Sequence, residues 1–449
     1  MVAGKGKFVI RGGKVVDQLG VRQADLLVDQ GQIVFSGTNV DASSDFEQID
    51  ASGCVVAPGF VDLHCHLREP GQAGSETIIS GSEAGVLGGY TALLAMPNTN
   101  PPVDSVEIVQ YLSSKSKDAA LDVYFSAAIT KGRSGESLTE MSKLHQAGVR
   151  IFTDDGNGVQ DPQLMRRALE YSKGLGVTLA QHCEDLKLSN GGSINEGSVS
   201  SLLGIRAIPN AAEDVMVARD IELVRMTGAK LHFLHVSTSR SAQMVAQAKM
   251  DGLAITAEVT PHHLNFTDAR LMDFNPIFKV NPPLRSENDR RGLWKAYFEE
   301  VFDAVATDHA PHPKSSKEAT LDQASFGMIG LQAAFGAVNS ELYRQLCQAG
   351  SENSTETVLT DQQLLQLIGM FTWKPAKIAQ IDSRHGGPLV KGRPANITIV
   401  NMEHKWQLGE GDIRSLSVNS PYFDHQLMGK VAFTFVNGNL AVKEGELCR

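Results

Sequence analysis

Apolar residues fall into two textures along this chain, and the change from one to the other predicts its organisation. Near the start they come in short runs broken by glycine and polar turns. Phe8-Val9-Ile10-Arg11 and Val15-Val16 flank a Gly12-Gly13 turn, and Leu26-Leu27-Val28 and Ile33-Val34-Phe35 flank Asp29-Gln30-Gly31, a spacing that predicts a hairpin. The same texture returns at the other end. Ile397-Thr398-Ile399-Val400 is followed by an apolar run over 431–436, an Asn437-Gly438-Asn439 turn and Leu440-Ala441-Val442. Two β-rich ends predict one small β-sandwich built from both termini, residues 1–57 and 376–449. Between them short apolar runs alternate with amphipathic stretches of helical length, such as 163–173 and 212–227. The strand candidates are 55–63, 91–95, 123–127, 149–152, 177–180, 230–234, 254–259 and 304–307. Strands alternating with helices make parallel sheets, and eight such units predict a closed (β/α)8 TIM-type barrel over residues 58–375. Ser351-Glu352-Asn353-Ser354 reads as a loop.

Composition narrows the class without naming a reaction. The 449 residues carry a net charge of −10 with no block of Lys or Arg, which argues against a nucleic-acid partner. No apolar run approaches the ~20 residues that span a bilayer, so no membrane partner is expected. The opening residues carry no apolar signal region. The five cysteines, at 54, 65, 183, 347 and 448, are odd in number and widely spaced. That spacing suits thiols in a reducing compartment better than a disulfide framework, and the expectation is a cytoplasmic protein.

The chemistry lies at the ends of the strands. The first runs into His64-Cys65-His66, the fourth into Asp154-Asp155, the fifth into His182, the sixth into His235 and the eighth into Asp308. In a barrel of this kind the carboxyl ends of the strands form one rim, where active sites assemble. Imidazoles and carboxylates are the donors zinc takes. His64 and His66 stand two apart on a strand, so both rings project to one side. Isolated histidines in such a pair are commonly satisfied core or surface residues; delivery of further ligand types to the same rim tips the reading toward metal. Either aspartate of the Asp154-Asp155 pair could instead cap the following turn. Arg68, two positions past His66, offers a planar fork matched to a carboxylate, or an ion pair with Glu69. His262-His263, His309, Cys65 and Cys183 are read as packing or loop-supporting residues.

The segment Gly59-Phe60-Val61-Asp62-Leu63-His64-Cys65-His66-Leu67-Arg68-Glu69-Pro70-Gly71 resembles the opening signature of the dihydroorotases, within the amidohydrolase superfamily. Ala306-Thr307-Asp308-His309-Ala310-Pro311-His312 resembles their closing signature. Met96-Pro97-Asn98-Thr99, Thr153-Asp154-Asp155-Gly156, His182-Cys183-Glu184-Asp185, Leu234-His235-Val236-Ser237 and Asn281-Pro282-Pro283-Leu284-Arg285 lie between them in the family's order. The resemblance implies a paired Zn2+ centre in which one ion takes His64, His66 and Asp308 and the other His182 and His235. In many relatives a carboxylated lysine bridges the pair; here the fourth strand has none, which resembles the branch where an aspartate stands in, and Asp155 aligns with that ligand. The same resemblance implies that Asp308 is the catalytic acid and base. Arg68, Asn98, Asn281 and His312 would surround the substrate, and the reaction would interconvert N-carbamoyl-L-aspartate and L-dihydroorotate. It also implies a homodimer and leaves a partnership with aspartate transcarbamoylase open. A hydantoinase or allantoinase, or a non-catalytic dihydroorotase-like subunit, are the rival readings. Ser325 and Gln332 depart from the family's pattern, which usually has proline and an acid there, in a loop that borders the substrate in relatives.

Overall fold

The computed structural model describes residues 6–38, 40–349 and 359–448. Its strands in chain order are β1 (Phe8–Arg11), β2 (Lys14–Asp17), β3 (Gly20–Gln23), β4 (Asp25–Asp29), β5 (Gln32–Gly37), β6 (Glu47–Asp50), β7 (Val55–Pro58), β8 (Phe60–Cys65), β9 (Tyr90–Ala95), β10 (Asp122–Phe125) and β11 (Ile151–Phe152). They continue as β12 (Thr178–Gln181), β13 (Ile194–Asn195), β14 (Ala207–Ile208), β15 (Leu231–Phe233), β16 (Ile255–Val259), β17 (Ala304–Val305), β18 (Ile397–Gln407), β19 (Gln426–Val436), β20 (Asn439–Lys443) and β21 (Glu446–Leu447). The chain is α/β. β8, β9 and β10 form one parallel sheet, and β11, β12, β15, β16 and β17 form another. Parallel bridges link the two sheets at both edges, Ala127 to Phe152 and Cys65 to His309.

Helices connect these strands, and their ends are written in the sequence. The helix Pro162–Leu175 begins where the Asp161 carboxylate accepts from the backbone N–H groups of Gln163 and Leu164, with Pro162 in its first turn. It stops at Gly176, whose φ of 72° is a conformation glycine adopts without strain. Met165, Ala168, Leu169 and Ser172 are its buried residues, a spacing of three and four that puts one face on the sheet. Val61, Leu63, Ala92, Leu94 and Ala180 of the parallel strands, with Leu234 and Ala306 just past the ends of β15 and β17, form one apolar cluster with Ala376 and Ile381.

The two ends of the chain meet. A seven-stranded sheet runs in the order β21-β20-β19-β18-β7-β2-β3, mixing strands from both termini, and a four-stranded sheet runs β5-β4-β1-β6. One apolar cluster joins Ile10, Leu26 and Ile33 of the smaller sheet to Val15, Val56, Ile397 and Phe435 of the larger. The expected hairpins around 29–31 and 437–439 are present, with Asp29 opposite Gln32 and Val436 opposite Asn439.

One expectation is corrected. The run 55–63 is not one strand. β7 pairs with β2 and β18 in the large sheet, β8 with β9, and the chain changes sheet at Gly59. A Cβ on Gly59 would lie 2.1 Å from Thr91 Cγ2, so only glycine permits that crossing. Both segments are fully buried, so alternation of polar and apolar residues carried no mark of the break. Likewise Gly12-Gly13 carries the chain from one sheet to the other, because β1 pairs with β4 and β6 whereas β2 pairs with β3 and β7. The loop expected at 351–354 lies outside the described residues. Among the described residues no helix is long and apolar enough to cross a membrane.

Candidate metal centre

The carboxyl ends of the parallel strands bring the residues singled out in the sequence to one place. His64 is the penultimate residue of β8 and His66 follows it; Asp155 follows β11, His182 follows β12, His235 follows β15 and Asp308 follows β17. All six are buried. Their donor atoms form two groups that could hold a metal ion, His64 with His66 and Asp155, and Asp155 with His182 and His235. Asp155 belongs to both. Its Oδ1 lies 3.4 Å from His64 Nε2, 3.7 Å from His182 Nδ1 and 3.6 Å from His235 Nε2, and its Oδ2 lies 3.7 Å from His66 Nε2. Asp308 Oδ1 adds contacts of 3.1 Å to His66 Nε2 and 3.5 Å to His64 Nε2.

These separations can be tested against coordination geometry. Donors about 2.1 Å from a tetrahedral ion stand about 3.4 Å from one another. Most of the measured spacings lie near that figure and are too long for hydrogen bonds. His64 Nε2 is fully buried and has no hydrogen-bond partner. An imidazole nitrogen left without a partner is costly unless a cation takes its lone pair. The charges agree. Burial alone would push the His64 imidazole down, yet Asp155 and Asp308 hold it well above its ordinary value. Burial would likewise raise Asp155 and Asp308, and the surrounding histidines hold both below the usual carboxylate range. The carboxylates demand positive charge at this point. The donor set fits zinc.

Asp154, the neighbour of Asp155, is turned elsewhere. Its carboxylate accepts from the backbone and hydroxyl of Thr130, which makes it a turn support. Asn98 Oδ1 faces His66 Nδ1 at 2.8 Å, and Asn281 Nδ2 donates to Glu184 Oε2 at 2.7 Å. Arg68 is 8% exposed, and among the described residues no carboxylate lies within ion-pair distance of it. Glu69, the alternative partner, accepts instead from the backbone N–H of Ile78. The Arg68 guanidinium donates from Nε to Pro311 O at 3.1 Å and lies 3.3 Å from His312 Nε2, which faces Phe326 O at 2.7 Å. Arg68, His235 and Asp308 have φ of 58°, 32° and 44°, left-handed values uncommon outside glycine and concentrated at functional sites.

A family model described as "Dihydro-orotase-like" matches residues 53–241. A dihydroorotase of Streptomyces coelicolor is 39% identical over 447 residues, covering 98% of this chain and 99% of that one. One from Mycobacterium tuberculosis is 40% identical over 435 residues, covering 95% and 96%. The chain belongs to the dihydroorotase family. Among solved structures, an L-hydantoinase (dihydropyrimidinase) from Arthrobacter aurescens superposes with a TM-score of 0.87 over 99% of this chain and 98% of its own, at 22% identity. That likeness, at such low identity, speaks to the fold alone.

Within this dihydroorotase family member, sequence reading passed over the residue that supports the centre from below. Glu258, fully buried in β16, places Oε1 2.9 Å from His64 Nδ1 and Oε2 3.0 Å from His232 Nε2, and it accepts the His235 backbone N–H. Burial would raise it, but the two histidines bring it down to about 2. A carboxylate on Nδ1–H fixes the His64 tautomer that leaves Nε2 free for a cation. The one available signal was an acid inside the apolar run Ile255–Val259. Glu184 does the same for His182, at 3.0 Å from Nε2. Glu258→Gln should weaken metal retention and activity by about 10- to 100-fold; metal content after dialysis, measured beside wild type, checks this. Of the two departures, Gln332 bonds Asp412 O and the Arg414 backbone N–H, away from the centre. Ser325 contributes its backbone carbonyl to the loop after His312.

Proposed function

We propose that this chain is a metal-dependent dihydroorotase. It interconverts N-carbamoyl-L-aspartate and L-dihydroorotate, a cyclic amide, in pyrimidine synthesis, with two zinc ions at the groups that share Asp155. The observation that carries the reading is Arg68, a buried guanidinium at the rim with no carboxylate of its own among the described residues. A buried cation with no carboxylate in ion-pair contact among the described residues suits a ligand that brings one. Both the substrate and the product carry an α-carboxylate; hydantoins lack it on the ring.

Bound zinc would polarise the ring carbonyl and make water a nucleophile at neutral pH. Arg68, beside His312, would hold the carboxylate and so orient the ring. Asn98 and Asn281 lie next to His66 and Glu184 and would bound the ring on either side. Asp308, kept ionised by the neighbouring imidazoles, is the base that takes the water proton and returns it to the departing ring nitrogen. Run backwards, it takes a proton from the carbamoyl nitrogen as the ring closes.

We further read residues 58–375 as a closed (β/α)8 barrel, supported by the bridges at both sheet edges, and residues 1–57 with 376–449 as a β-sandwich, supported by the core that the two sheets share. Cys54, Cys65, Cys183 and Cys448, outside any disulfide, suit the cytoplasm. The test is metal analysis with dihydroorotate hydrolysis, before and after chelation, and with a hydantoin in parallel. We expect about two zinc ions per chain, activity that chelation removes and zinc restores, and preference for dihydroorotate. Full activity in metal-free protein, or preference for the hydantoin, would overturn the reading.

A further inference from the structure

The loop after His312 is held by two side chains that no part of the chemistry above uses. Lys317 is 4% exposed, and no carboxylate among the described residues pairs with it. Its ammonium donates to three backbone carbonyls, Lys279 O at 3.1 Å, Ser325 O at 2.9 Å and Gly327 O at 2.9 Å. Three donors meet three acceptors, which leaves none unsatisfied. Those carbonyls belong to two segments, residue 279 and residues 325–327, and the first lies two residues before Asn281.

Asn419 reaches the same point from the other side. It belongs to the excursion between β18 and β19, strands of the large terminal sheet. Its Nδ2 donates to Ala310 O at 3.0 Å and to Gly327 O at 3.2 Å, and its Oδ1 accepts the His312 backbone N–H at 3.2 Å. Gly327 O is therefore shared by both residues. Gly327 has a φ of 133°, and a Cβ there would come within 2.6 Å of Ala310 Cβ and 3.0 Å of His312 Nε2. The packing has no slack. Between these anchors lie Pro311 O, which accepts from Arg68, and Phe326 O, which faces His312 Nε2.

We propose that Lys317 and Asn419 are positioning residues for the substrate carboxylate, which set Arg68 and His312 by fixing Gly327, Asn419 against the 310–312 backbone and Lys317 against Lys279 and Ser325. This rests on the dihydroorotase reading. A buried ammonium is expensive, and its use here is to tie the backbone at 279 to that at 325–327. Displacing a binding group by about 1 Å can cost on the order of 10²-fold, and neither residue touches the metal groups or Asp308. The terminal sheet thus contributes to the mouth of the site through Asn419.

The experiment measures dihydroorotate hydrolysis by wild type, Lys317→Met, Asn419→Ala, Arg68→Lys and each of the first two combined with Arg68→Lys, with metal content for all. We expect KM to rise about 10- to 100-fold in each of the first two variants, with kcat within about threefold and zinc unchanged. In the Arg68→Lys background their further effect on KM should shrink to within about threefold, because both act through Arg68. Unchanged KM, a fall confined to kcat, or effects that multiply in full with Arg68→Lys would overturn the proposal. If Lys317→Met does not fold, Asn419→Ala decides alone. A wild type without dihydroorotate activity would instead fail the underlying reading.

Discussion

Asp308→Asn should lower kcat by about 10³- to 10⁴-fold while the protein keeps most of its metal. The magnitude follows from the double duty of one carboxylate. General acid–base groups contribute about 10²- to 10⁴-fold, and a residue that serves both as base and as acid belongs at the upper end. Metal retention follows from geometry. Neither group of candidate ligands, His64 with His66 and Asp155 or Asp155 with His182 and His235, includes Asp308. Asparagine also preserves an oxygen at the same place, although its φ of 44° must be kept. Because the residue is proposed to act in both directions, ring opening and ring closure should fall by the same factor, with the equilibrium constant unchanged. Rates in both directions, with zinc measured in the same preparation, check the prediction. A variant with near-normal turnover would remove Asp308 from the chemistry, and one that lost all metal would make it a ligand first.

How much of this could be read from the chain depends on how directly sequence position maps to space. A parallel array of strands converts "last residue of a strand" into "residue at the rim", so His64, His66, Asp155, His182, His235 and Asp308 could be gathered before any coordinates. The supports of those residues follow no such rule. Glu258 lies inside β16, and its role appears only when β16 is set beside β15 and across from β8. Lys317 and Asn419 are separated by about a hundred positions and meet at a carbonyl oxygen, which leaves no trace in residue type. The left-handed backbone at Arg68, His235 and Asp308 is equally silent, since tertiary contacts impose it on residues with no preference for it. The sheet change at Gly59 was hidden for a different reason: two fully buried strands in succession look like one.

Replacing Asp155 by alanine should strip metal where the same change at Asp154 does not. Adjacent in sequence and chemically identical, the two aspartates separate local structure from metal binding. Asp155 presents its oxygens to four imidazoles at 3.4–3.7 Å and is the shared member of both candidate groups. Without it each group keeps only histidines, and the four rings lose the anion that offsets a divalent pair. We expect metal content to fall from about two ions to at most one per chain and kcat/KM to fall by more than about 10³-fold, since the loss of a bridging carboxylate removes both charge and geometry. Asp154 holds the Thr130 turn, so Asp154→Ala should cost about 1–3 kcal/mol of stability by leaving a buried donor unpaired. Its zinc content should stay at the wild-type level. Metal analysis and thermal denaturation of the two variants side by side decide the matter: zinc lost from the Asp154 variant, or retained in full by the Asp155 variant, would exchange their roles and break the shared-ligand centre on which the catalytic reading stands.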